Sequence, residues 1–101
     1  MAKSNIQYEA KPIADLCGRL QIKELCLFGS VLREDFRPES DIDVLVSFRE
    51  TASASAYDFP AIEHELGDLF GRAVDLVEKE GLRNPFRKYN ILNSRQIVYV
   101  D

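Results

Sequence analysis

Leu25-Cys26-Leu27-Phe28-Gly29-Ser30, followed after ten residues by Asp41-Ile42-Asp43-Val44-Leu45-Val46-Ser47-Phe48, is the stretch on which the fold of this chain turns. The first part is a continuous apolar run closed by a glycine, which is the pattern of a short buried strand. The second alternates. Ile42, Val44 and Val46 fall on one face of a strand running from about Asp41 to Phe48, and Asp41, Asp43, Leu45 and Ser47 fall on the other. Between the two, residues 31–34 suit one helical turn, and Asp35-Phe36-Arg37-Pro38-Glu39-Ser40 reads as a loop.

Toward the N-terminus, Pro12 fits a first helical position ahead of the Ile13, Leu16, Cys17 and Leu20 stripe, and residues 1–11 are expected to fray. Toward the C-terminus, residues 50–58 are small and polar, as a mobile connection or lid would be. A second helix is expected from about Pro60, burying Ile62, Leu66, Leu69 and Phe70 and stopping at Gly71. Ala73-Val74-Asp75-Leu76-Val77 reads as a third strand, residues 86–92 as a last short helix, and Gln96-Ile97-Val98-Tyr99-Val100 as a closing strand. The order α-β-turn-β-α-β-α-β predicts an α/β (α+β) sandwich, a small sheet of three or four strands with helices packed mainly on one face.

Composition bounds what such a domain can do. The chain has 101 residues, 46% of them apolar and 30% charged, which suits one folded domain spanning residues 1–101 with a single modest core. Its net charge of −4 has the wrong sign for a protein that chiefly grips phosphate backbones, so no obligatory nucleic-acid partner is expected. No apolar run approaches the ~18–20 residues of a membrane span and no signal segment opens the chain, so a soluble, cytoplasmic protein is expected. Cys17 and Cys26 lie in apolar surroundings and read as small buried hydrophobes in a reducing compartment.

The chemistry lies in acidic residues set where packing would prefer apolar ones. Asp41 and Asp43 stand two apart at the head of a strand, so their carboxylates share a face at a spacing of about 6–7 Å. Anions held that close repel unless a cation lies between them, and a donor set of oxygen alone favours a hard ion such as Mg²⁺. If the third strand neighbours the second, Asp75 completes a three-carboxylate cluster able to hold two Mg²⁺, the arrangement used for phosphoryl and nucleotidyl transfer. Gly29-Ser30 would supply backbone N–H groups and a hydroxyl to a polyphosphate, with Arg33 one turn on adding charge. Taken singly, the Gly-Ser pair is an ordinary turn, the Asp-x-Asp a solvated strand end, and Asp75 an edge charge that blocks strand pairing. Their conjunction in this order carries the reading.

That conjunction, with Pro38-x-Ser40-Asp41-Ile42-Asp43 and Gly71-Arg72-x-Val74-Asp75-Leu76 in register, resembles the DNA polymerase β-like nucleotidyltransferase superfamily from about Pro12 to Val100. Within it the chain looks like a minimal nucleotidyltransferase, the antitoxin of the prokaryotic HEPN/minimal-nucleotidyltransferase toxin–antitoxin pairs. The resemblance implies a nucleotidyltransferase fold, ATP as substrate and two Mg²⁺ ions as cofactor. It assigns Asp41, Asp43 and Asp75 as metal ligands and catalytic groups, Asp75 as ligand or base, and Gly29 and Ser30 as the triphosphate loop. It also implies transfer of AMP to a tyrosine of a HEPN ribonuclease toxin, a partner in a hetero-oligomer. Many relatives carry Arg directly after the Ser and Gly near the end of the turn. This chain has Val31 and Glu34 there and keeps Arg33. The alternatives are transfer to a small molecule or an RNA end, or a non-catalytic antitoxin that blocks its partner sterically.

Two features stay outside that scheme. His64 lies between Glu63 and Glu65 and reads as a surface residue. Arg83, Arg87, Lys88 and Arg95 read as a solvated helix face. No P-loop or dinucleotide fingerprint is present.

Overall fold

The structure, a computed structural model, describes residues 8–32, 41–50 and 58–100. Helix α1 runs Ala10–Leu20 and buries Ile13, Leu16 and Cys17. It begins two residues before Pro12, and Tyr8 ahead of it lies edge-on to Phe70 with ring centroids 5.5 Å apart, while residues 9–11 are exposed and residues 1–7 lie outside the described residues. Gln21 ends the helix in the left-handed region at φ 58°, its N–H donating to the carbonyls of Cys17 and Gly18. Strand β1, Ile22–Phe28, follows at once and takes in Lys23 and Glu24, which the apolar run alone did not announce.

A 3-10 turn over Gly29–Leu32 closes β1, and β2 runs Ile42–Phe48. Helix α2, Phe59–Phe70, is capped by Asp58, whose carboxylate accepts from the Ala61 N–H, and Gly71 stops it with φ +74°. Strand β3 is Val74–Glu78, followed by a 3-10 turn over Lys79–Gly81. Helix α3, Pro85–Ser94, is capped by the Asn84 side chain, and β4 is Gln96–Val100. The suggested lid lies mostly within residues 51–57, outside the described residues.

The strands form one four-stranded mixed sheet in the order β3-β2-β1-β4. β1 is antiparallel to both β2 and β4, while β2 and β3, joined through α2, are parallel. Helices α1 and α2 cover one face, where Leu25, Leu27, Val44 and Val46 meet Ile13, Leu16, Ile62, Leu66 and Phe70. Removing each such side chain from water contributes roughly 1.5–3 kcal/mol. Helix α3 takes the opposite face, because Cys26, Phe28 and Leu45 are apolar there too and need Ile91 above them. Two of the three helices therefore share a face, as expected, and the third covers the face that carries the aspartates. Both cysteines are buried and unbridged, and no helix of the described residues is long and apolar enough to cross a membrane.

Candidate active site

The parallel ladder decides the geometry. Ile42 pairs with Val74 and Asp43 with Asp75, and the Ile42 N–H donates to the Ala73 carbonyl at 2.9 Å just before the two aspartates. Residues directly across a sheet share a face at a strand spacing of about 4.8 Å, so the two carboxylates stand side by side. Asp41 lies immediately before β2 and is exposed, and strand alternation carries it to the side of Asp43. The condition posed by the sequence, that the second and third strands be neighbours, is met.

Gly29 closes the other side of this corner. Phe28 pairs with Asp43 across the β1–β2 ladder, so the residue after Phe28 turns directly over that aspartate. Gly29 adopts φ +77°, and a Cβ placed on it would collide with the Asp43 Oδ2. Glycine is required here twice over, by its backbone conformation and by the carboxylate against its α-carbon. The Ser30 backbone belongs to the 3-10 turn that follows. The Ser30 side chain and Arg33 lie outside the described residues, as does Glu34.

Sequence reading missed one further contributor. Glu63 of α2 accepts a hydrogen bond from the Leu76 N–H at 2.8 Å. Leu76 follows Asp75 on an edge strand, so Glu63 holds the outer side of β3 at the point where its aspartate must face Asp43. Nothing local signals this, because Glu63 sits beside His64 and Glu65 in a stretch that reads as solvated. His64 itself is exposed, 3.7 Å from Asp68.

The far end of the same sheet face is built from compensated charge. Glu24 receives Lys79 and Arg95, each at 3.3 Å, and Ser47 donates to Glu80 at 2.7 Å. Arg95 is thus drawn away from the solvated helix face expected for it. Burial, reinforced by the neighbouring Glu24, pushes the Cys26 thiol up to about 11, against the opposing pull of Arg95 and Lys79. Burial alone pushes Cys17 up to about 12. Neither thiol is a nucleophile near neutral pH.

The donors at the Asp43–Asp75 corner are hard oxygens. Among the described residues no three carboxylate, imidazole or thiol groups converge to hold an ion alone. That donor set fits a Mg²⁺ ion shared with phosphate oxygens, since Mg²⁺ is seldom caged by protein alone.

Comparison with known proteins gives the family. Residues 11–98 match the model of the nucleotidyltransferase domain family. A candidate protein adenylyltransferase of Methanocaldococcus jannaschii is 38% identical over 82 residues, covering 81% of this chain and 80% of that protein. The protein adenylyltransferase MntA of Thermococcus cleftensis is 36% identical over 86 residues, covering 85% and 82%. Among solved structures, a toxin–antitoxin with AMP-PNP superposes with a TM-score of 0.68 at 19% identity, covering 92% of this chain and 74% of the other. A complex of the tri-AMPylated Shewanella oneidensis HEPN toxin with MNT antitoxin gives 0.59 at 18%, covering 91% and 70%, and these two structures show the shared fold.

Proposed function

The chain belongs to the nucleotidyltransferase family, and from that premise we propose that it is a protein adenylyltransferase which moves AMP from ATP to a tyrosine of a HEPN-type partner and thereby silences a ribonuclease toxin. The observation that carries this reading is the in-register pairing of Asp43 with Asp75 beside the Gly29 turn. Relatives named as protein adenylyltransferases support a protein acceptor, and the fold shared with an antitoxin bound to an AMPylated HEPN toxin supports the class of partner. The whole chain acts as one domain, and the cytoplasm supplies both the ATP and the reducing conditions its buried thiols suit.

In the reaction the acceptor hydroxyl oxygen bonds to the α-phosphorus of ATP while the bond from that phosphorus to the β-phosphate oxygen breaks, and pyrophosphate leaves. Backbone N–H groups at Gly29 and Ser30 receive the β- and γ-phosphates. Asp41, Asp43 and Asp75 are the groups that would hold two Mg²⁺ ions. Magnesium bound there supplies neutralisation of the phosphate charge. Asp75, on the edge strand and exposed, takes the proton released by the acceptor. Catalysis comes chiefly from alignment and charge compensation.

Incubation with ATP labelled at the α-phosphate, Mg²⁺ and the co-expressed HEPN-type protein tests the proposal. Label on a tyrosine of the partner, lost in Asp43→Asn and Asp75→Asn, is expected. Label on RNA or a small molecule, or silencing of the partner that persists in Asp43→Asn without label, contradicts it.

A further inference from the structure

The large apolar side chains left exposed among the described residues are Phe86, Tyr89, Ile97 and Val100, all between positions 86 and 100. Phe86 is 80% and Tyr89 69% exposed. Three residues apart on α3, they share its outer face, turned away from the buried Ile91 that anchors the helix to the sheet. Ile97 and Val100 lie on β4, an edge strand, opposite Cys26 and Glu24 of β1. Directly paired residues share a face, so both belong to the side of the sheet that α3 covers.

That side is also the side of the carboxylates. Leu45 and Val77, which pack with α3, lie two residues along β2 and β3 from Asp43 and Asp75. A macromolecule presenting a hydroxyl to the aspartates therefore approaches the face on which α3 stands. The charge of this segment opposes that of the rest of the chain. Residues 81–100 contain Arg83, Arg87, Lys88 and Arg95 and no Asp or Glu, although the net charge overall is −4. Arg95 is paired with Glu24, while Arg83 and Arg87 are exposed and Lys88 is partly so.

We propose that the outer face of α3, extended by Ile97 and Val100 of β4, is the docking surface for the acceptor protein, which meets it with an apolar socket rimmed by carboxylates. The inference rests on the protein-adenylyltransferase reading above and adds the surface by which the acceptor is held. Central aromatics flanked by cations are the anchors that interfaces favour, and a cationic rim steers an acidic partner. Single-stranded RNA also suits aromatics and cations. The net negative charge and the aliphatic Ile97 and Val100 favour a protein.

The test uses the full chain, its co-expressed HEPN-type protein and α-labelled ATP, with Phe86→Ser/Tyr89→Ser and Arg87→Glu/Lys88→Glu as double variants. AMP-PNP affinity and thermal melting serve as readouts independent of the acceptor. Each double variant is expected to raise KM for the acceptor by about 10-fold or more while kcat and AMP-PNP affinity stay within about twofold. The charge-reversed variant should also flatten the salt dependence of association. Unchanged acceptor KM in both variants overturns the docking surface while leaving the activity standing, as does loss of RNA binding with acceptor KM intact. Absence of label on protein with the unaltered chain overturns the activity itself.

Discussion

At the scale of single residues, Asp43 joins the two halves of the candidate site, paired with Asp75 on one side and pressed against Gly29 on the other. Replacing Gly29 by Ala forces a side chain into a backbone conformation at φ +77° and into the carboxylate. A loss of about 1–3 kcal/mol in urea denaturation, together with transferase activity, is expected. Asp43→Asn should do the reverse to stability. Without divalent ions it removes like-charge repulsion across the ladder, so the melt should hold steady or rise by roughly 0.2–1 kcal/mol while label transfer falls to background. Glu63 offers a finer comparison. Glu63→Gln keeps an acceptor for the Leu76 N–H and should retain activity, whereas Glu63→Met leaves that amide without it and should raise the Mg²⁺ concentration needed for half-maximal rate. Equal Mg²⁺ requirements in the two variants would show that Asp75 is positioned without help from α2.

At the scale of elements, α3 depends on its cap. The Asn84 side-chain oxygen Oδ1 accepts from the Phe86 and Arg87 N–H groups at 2.9 and 3.1 Å, so Asn84→Ala should cost about 1 kcal/mol, read by denaturation. This helix also marks where sequence reading ended. The alternation in β2, the stripe in α1 and the Gly71 stop of α2 depend on near neighbours in the chain, and the expected elements stand close to where they were placed. The front of β1 was missed because Lys23 and Glu24 interrupt the apolar run, and Glu24 is compensated by Lys79 and Arg95, 55 and 71 residues away. No local pattern carries that information. Likewise the aspartates were legible as types at suggestive spacings, but their convergence depended on β2 and β3 being parallel neighbours, which is a property of topology. The sequence pattern could not say which sheet face α3 would take, nor that Glu63 would bridge to β3.

At the scale of the whole molecule, burial of both thiols ties stability to pH. Folding raises Cys26 to about 11 and Cys17 to about 12 from an ordinary value of 9.0. The unfolded chain therefore loses these protons first as pH rises. The contribution is fully present below 9.0 and falls away toward the folded values, so the melting temperature should drop above pH 9.0. Neither thiol should react with a maleimide at neutral pH until the protein unfolds. The larger claim is that one corner of the sheet binds a nucleotide through divalent ions shared with its carboxylates. Calorimetric titration with AMP-PNP tests it most directly. Binding should be strong with Mg²⁺ present, nearly abolished by EDTA, and equally lost in Asp43→Asn with an intact fold. An affinity unchanged by EDTA or by that substitution would contradict the account.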